Sequence, residues 1–166
     1  MKARAALLSL GLCASCGYAT GRIVPQKVES VGVELFENDS PLRDIEVRLH
    51  QELSRSVRDL VEVPIVDPGS ADRIVRGRIL DYQRRDGVRN GENQLLETSV
   101  RILATAELVD RQTGAIVTKS TPPYVDVGYI LDSPDIGNSR NELPARERAI
   151  VNLAEQIVLD LFVPAD

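Results

Sequence analysis

Tryptophan is missing from this 166-residue chain, aromatic residues make up only 4% of it, and it has one histidine. So few rings argue against a surface that stacks bases or sugars. The histidine, His50, sits beside Gln51 off the apolar stripe of a predicted helix, outside any H-E-x-x-H context, and reads as a solvated surface residue. The chain also lacks G-x-S-x-G, a phosphate-binding glycine loop and any Cys/His pair for nucleophilic catalysis. Its many acids fall on polar faces and in turns. These absences predict no enzyme, no cofactor and no metal centre. No apolar run approaches the ~20 residues of a membrane-spanning helix. Net charge is −5, and residues 1–15 hold Lys2 and Arg4 without an acid. The remainder therefore has 18 basic and 25 acidic residues, a net of −7, which disfavours a nucleic-acid partner.

What the chain does have begins at its N-terminus. Lys2 and Arg4 precede the apolar stretch Ala5 to Leu12, and the small residues Ala14 and Ser15 precede Cys16. The charge, the length and the small residues are those of a signal peptide. The segment resembles the lipobox of bacterial lipoproteins, in which diacylglycerol is attached to a cysteine and cleavage occurs just before it. Cys16 is the expected attachment site and mature N-terminus. Cys13 is disfavoured because the bulky Leu12 precedes it, although Cys13 itself stands where the lipobox usually has Leu. A C-x-x-C pair could instead serve zinc or redox chemistry, but no second ligand pair accompanies it, and cleavage would remove Cys13. Stable anchoring needs more than one acyl chain, as lipoprotein processing supplies. Gly17 follows the cysteine, where enterobacterial lipoproteins retained in the inner membrane carry Asp. That resemblance implies the periplasmic face of the outer membrane.

Behind the signal peptide (residues 1–15), residues 16–27 read as the lipidated cysteine and a short tether. Residues 28–166 read as one domain. Alternation in Val28 to Phe36 predicts a strand with Val31, Val33 and Leu35 on one face. Ser40 and Pro41 suit the cap and first position of a helix. Its apolar stripe runs through Leu42, Ile45, Leu49, Leu53, Val57 and Leu60. A short strand is expected at Val63 to Val66. Long strands follow at Ile74 to Tyr82 and Leu96 to Val109, the second with Leu96, Thr98, Val100, Ile102, Ala104, Ala106 and Leu108 on one face. D-R-Q-T-G closes a hairpin onto Ala115 to Lys119. Residues 121–141 read as a long loop with a brief strand near Val125 to Ile130, ahead of a helix from Glu142 to Phe162. The expected fold is an α+β two-layer sandwich: a mostly antiparallel four- or five-stranded sheet with two helices on one face.

Arginines gather in the middle of the chain. Arg73, Arg76 and Arg78 lead to Arg84, Arg85 and Arg89 at a predicted hairpin tip. Arginine grips phosphate with a two-pronged fork, so Arg84, Arg85 and Arg89 are candidates to contact an anionic lipid head group. The plainer reading is a set of solvent-side charges paired with Asp81, Asp86 and neighbouring acids.

Several segments together resemble the LPS-assembly lipoprotein family (LptE-like). They are C-G-Y (Cys16 to Tyr18), V-G-V-E-L-F-E-N-D-S with its helix, and A-D-R-I-V-R-G-R-I-L-D-Y (Ala71 to Tyr82). L-V-D-R-Q-T-G-A-I-V (Leu108 to Val117) and the C-terminal A-I-V-N-L-A-E-Q-I-V complete the set. The resemblance implies a non-enzymatic outer-membrane lipoprotein of the lipopolysaccharide translocon. Such a subunit plugs a large β-barrel partner, helps it assemble, and binds lipopolysaccharide. No lipopolysaccharide-contacting residue is carried over by motif. A periplasmic lipoprotein regulating a peptidoglycan synthase is the alternative, as is a lipoprotein of another role on the same sandwich. Synthase regulators commonly have longer disordered tethers. The 11 residues here reach less than ~40 Å, which favours a domain held close to the membrane.

Overall fold

The computed structural model describes residues 28–85, 87–120, 123–132 and 140–163. The expected signal peptide, Cys16 and the expected tether lie outside them. Two long strands dominate, β3 (Arg73–Arg85) and β4 (Glu97–Asp110), paired antiparallel. In β4 the side chains of Thr98, Val100, Ile102, Ala104, Ala106 and Leu108 are buried while their neighbours Ser99 to Glu107 are half-exposed, so one face is covered and the other open. Beyond β3 lie β1 (Val31–Val33) and β2 (Glu37–Asn38), both parallel to it. Beyond β4 lie β5 (Ile116–Lys119) and β6 (Tyr124–Ile130), both antiparallel to it. The sheet is thus six-stranded and mixed, with two short strands end to end on each side of a long central pair.

Helices α1 (Ile45–Ser56, extended by a π-helical turn Val57–Val61) and α2 (Glu142–Phe162) share one core with the inner face of the sheet. The α1 stripe buries Ile45, Leu49, Leu53 and Val57, and α2 buries Ile150, Leu153, Ala154, Ile157 and Leu161. Each large side chain so buried contributes about 1.5–3 kcal/mol. This is the expected α+β two-layer sandwich. Among the described residues no helix is long and apolar enough to cross a membrane.

The elements before β3 depart from expectation. After Val33 the chain leaves the sheet and re-enters at Glu37, its Glu34 and Asp39 amides bonded to the carbonyls of Val75 and Ile79 (both 2.9 Å). That crossing reverses the alternation: Leu35 is 57% exposed, and Phe36 takes the buried place. Ser40 and Pro41 do not start α1. Asn38 Oδ1 accepts from both the amide and the hydroxyl of Ser40 (2.9 and 2.7 Å). The Asn38 amide group also donates to Leu42 O and Glu46 Oε2 (2.8 and 2.7 Å). The resulting turn delays the helix to Ile45, behind Asp44 in the left-handed region (φ 65°) with no side-chain cap. Val63 to Val66 supply only a bridge from Ile65 to Val31. Leu96 precedes β4 and is half-exposed, whereas Val109, expected outside, is buried where the β4–β5 register shifts. Gly114 (φ 71°) closes the β4–β5 hairpin as expected.

Phe36 fits because position 77 has no side chain. A Cβ on Gly77 would lie 2.5 Å from the Phe36 ring and 2.2 Å from Thr105 O. Gly77→Val should therefore destabilise the domain by about 1–3 kcal/mol, read as a lower urea midpoint at unchanged slope. An unchanged midpoint would contradict this packing.

Candidate functional site

Between Ile79 and Asp81 the pairing of β3 with β4 shifts register. Before the shift Val75 and Ile79 face the core and Arg76 and Arg78 face solvent; after it Tyr82 is the buried residue. The reversal places Tyr82 and Arg84 on the helix-covered side, where they meet Glu142, the first residue of α2. The Tyr82 hydroxyl donates to Glu142 Oε1 (3.0 Å) and Arg84 Nε donates to Oε2 (2.7 Å). A carboxylate here also faces the positive end of the helix. The Tyr129 hydroxyl is buried nearby with no hydrogen-bond partner among the described residues. Burial, and then Glu142, push both the Tyr82 and Tyr129 phenols above the ordinary tyrosine range. The bond to Glu142 raises the Arg84 guanidinium.

Beyond Arg84 the two strands end in a tight tip. The backbone of Gly87 comes so close to the other arm that a Cβ there would lie 1.7 Å from Glu97 O. Asn90 Oδ1 accepts from the amides of Glu92 and Gln94 (3.0 and 2.8 Å), and Asn93 adopts φ 63°. Arg89 Nη1 donates to Asn93 O (3.0 Å) across this turn. Arg85 stands opposite Ser99 on the solvent face, with no ion-pair partner among the described residues. Val88, Leu96, Ile130 and Leu143 are all exposed at this end of the domain. The tip therefore combines cations with apolar surface.

The three predicted arginines are not equivalent. Arg84 is held by Glu142 behind the tip, while Arg85 and Arg89 lie on its exposed surface. The arginines nearer the start of β3 follow the plainer reading. Arg73 pairs with Asp72 and Asp110 (2.9 and 2.8 Å), Arg76 with Glu107 (3.1 Å), and Arg78 with Glu37 and Asp39. Glu107 also takes Lys119 (2.9 Å), and these two cations hold its carboxyl below the usual range. Arg76, Arg78 and Lys119 line a groove of about 600 Å³ on the open sheet face, but its charges neutralise one another locally. His50 is half-buried at the surface, a ring nitrogen 3.4 Å from Glu34 O. Among the described residues no group of three or more His, Cys, Asp or Glu is placed to hold a metal ion. Sequence reasoning found the arginines but not Glu142, 58 residues from Arg84, which only the fold brings to them.

Residues 28–161 match the family LptE, lipopolysaccharide-assembly. The chain belongs to the LptE family. This is a family of non-enzymatic lipopolysaccharide-assembly lipoproteins. Among solved structures, the chain is similar to an uncharacterized lipoprotein B from Nitrosomonas europaea (TM-score 0.58, 14% identity, 83% of this chain and 84% of that one). It is also similar to the hypothetical protein CT253 from Chlamydia trachomatis (TM-score 0.52, 11% identity, 80% and 97%). A minor lipoprotein from Acinetobacter baumannii aligns with TM-score 0.50 and 22% identity over 78% and 89% of the two chains. At these identities the likeness shows the shared fold. The search of curated proteins returned no match.

The Tyr82–Glu142 contact has a pH signature in this LptE-family domain. Tyr82 is held protonated in the folded state, so its contribution is intact below the unfolded-chain value of about 10 and is lost as pH rises beyond it. Tyr82→Phe should flatten part of the alkaline fall in stability, leaving the share of Tyr129. Thermal unfolding scans from neutral to alkaline pH test this; an unchanged alkaline slope would contradict it.

Proposed function

We propose that this chain is the lipid-anchored subunit of an outer-membrane lipopolysaccharide translocon. Attached through Cys16, it plugs a large β-barrel partner, helps that barrel assemble, and contacts lipopolysaccharide with Arg85 and Arg89 at the hairpin tip. The observation that carries this reading is the family match over the whole folded domain. The geometry supports it. The described chain begins beside Asp72, with the Glu29 amide 3.3 Å from Asp72 Oδ2, next to the Arg73–Asp110 pair. That is the end of the β3–β4 ladder opposite the tip. The 14 residues of β4 separate the two ends by about 45 Å. A short tether thus holds one end at the periplasmic leaflet while the basic, partly apolar tip projects away from it into the barrel. Guanidinium forks suit the phosphates of lipopolysaccharide, and the exposed Val88, Leu96, Ile130 and Leu143 suit the base of its acyl chains. Arg84 acts one step behind, positioning the tip through Glu142.

Purification of the native lipoprotein in mild detergent should recover a large β-barrel protein with it; recovery of a peptidoglycan synthase instead would overturn the assignment. Arg85→Ser with Arg89→Ser should weaken lipopolysaccharide binding at least ~10-fold, since each charge-assisted contact is worth more than a neutral one. Unchanged binding would remove the tip as the site. Radioactive palmitate should label the chain but not its Cys16→Ala variant, and persisting label would refute that attachment.

A further inference from the structure

Asn90 is the only asparagine of the chain followed by glycine, and it opens the turn at the hairpin tip. The Asn93 N–H donates to Asn90 O (3.0 Å) and the Asn90 N–H to Gln94 O (2.9 Å), just beyond the bridge between Arg89 and Leu95. Asn90 Oδ1 accepts from the amides of Glu92 and Gln94 (3.0 and 2.8 Å), so the side chain curls back over the Asn90–Gly91 peptide as in an Asx turn. That sets Cγ on the side of the Gly91 nitrogen. Gly91 is exposed, its N–H takes part in none of these bonds, and a Cβ there would meet nothing within 4 Å. The nitrogen is therefore open to a base from solvent. Two backbone donors on one carbonyl oxygen also polarise the carboxamide, as an oxyanion hole polarises an acyl carbon. The other described asparagines precede Asp39, Gln94, Glu142 and Leu153, whose side chains crowd the same approach.

We propose that Asn90 is a site of spontaneous covalent modification, where the carboxamide cyclises onto the Gly91 nitrogen and reopens as a carboxylate. Hydroxide takes the proton of the Gly91 amide, and the nitrogen attacks Asn90 Cγ. A C–N bond forms, the Cγ–Nδ2 bond breaks, and Nδ2 leaves as ammonia after taking a proton from water. Water then opens the cyclic imide at either carbonyl. The products are aspartate, or isoaspartate, in which the backbone runs through the former side chain. Nothing is oxidised or reduced. Both products carry a new negative charge beside Arg89. Gln94 Oε1, which accepts from Asn90 Nδ2 (3.0 Å), then meets a carboxylate oxygen instead of a donor. Isoaspartate also lengthens the backbone by one methylene, which takes the Asn90 N–H and Gln94 O out of register. Resting on the proposed contact of the tip with lipopolysaccharide, the modification weakens that contact as the chain ages.

The test uses the mature full-length lipoprotein in detergent at mildly alkaline pH, with peptide mass mapping of every asparagine over time. Asn90 should convert ahead of all the others, and at least as fast in the folded chain as in the chain unfolded in urea. Gly91→Ala, for which the position has room, should slow conversion at least ~10-fold, because a Cβ blocks the close approach that glycine permits. Slower conversion in the folded chain than in urea would mean that the turn shields Asn90, and would overturn the proposal. A Gly91→Ala chain converting at the unsubstituted rate would overturn it as well. Lipopolysaccharide binding is a separate readout. Asn90→Asp should weaken it about 2–5-fold, the scale of one exposed charge pair. Unchanged binding by Asn90→Asp in a chain whose Asn90 still converts would count against the tip as the lipopolysaccharide contact, and not against the modification.

Discussion

A slip in register between Ile79 and Asp81 decides what the two halves of β3 can do. In the first half the inward positions carry Val75 and Ile79, and the arginines between them point to solvent, each beside an acid. In the second half the parity is reversed. Tyr82 then fills the inner layer, Arg84 reaches the helix side, and the start of α2 is fixed to the sheet through one carboxylate. Without the slip, Tyr82 would stand in water and Glu142 would lie largely buried without its two donors. A buried charge in that state costs several times what a satisfied one does. The bulge also raises the local twist of the strand pair as it approaches the hairpin tip. The tip, the helix start and the inner face of the sheet are therefore one mechanical unit.

The helical stripes and β4 were legible in the sequence because each keeps one periodicity over most of its length, whereas β3 changes parity at its slip. The stripe of α2 is regular enough to give the observed bounds Glu142–Phe162, and the alternation of β4 names the buried set from Thr98 to Leu108. The segment before α1 was misread because two local signals were outbid by longer-range ones. Ser40 is a good cap, but Asn38 takes both its donors; Leu35 continues an alternation, but the chain crosses over at Glu34 and Phe36 finds the space above Gly77. The parallel placement of β1 and β2 has no local signature. The candidate site was half legible. A run of arginines shows as composition, whereas the acids that hold Arg76, Arg78 and Arg84, namely Glu107, Glu37, Asp39 and Glu142, are all remote in sequence.

The charge distribution fits a domain that offers little and concentrates what it offers. Its net charge is negative, and the open sheet face neutralises itself through Arg76–Glu107–Lys119, Arg78–Asp39 and Arg101–Asp126. Such exposed pairs add little stability, but they neutralise the cations of that face. Arg85 and Arg89 then stand out by position rather than by number. They sit at the tip of the β3–β4 ladder, at the end opposite Asp72 and Asp110, beside exposed apolar side chains.

The central claim is that this end of the domain, and not the opposite one, meets lipopolysaccharide. Site-specific photo-crosslinking in intact cells tests it directly, with the photoreactive residue placed at Val88 in the tip or at Gln112 in the β4–β5 turn. The account predicts a lipopolysaccharide adduct from position 88 and none from position 112. Adducts at 112, or none at 88 in a chain that still supports lipopolysaccharide assembly, would contradict it.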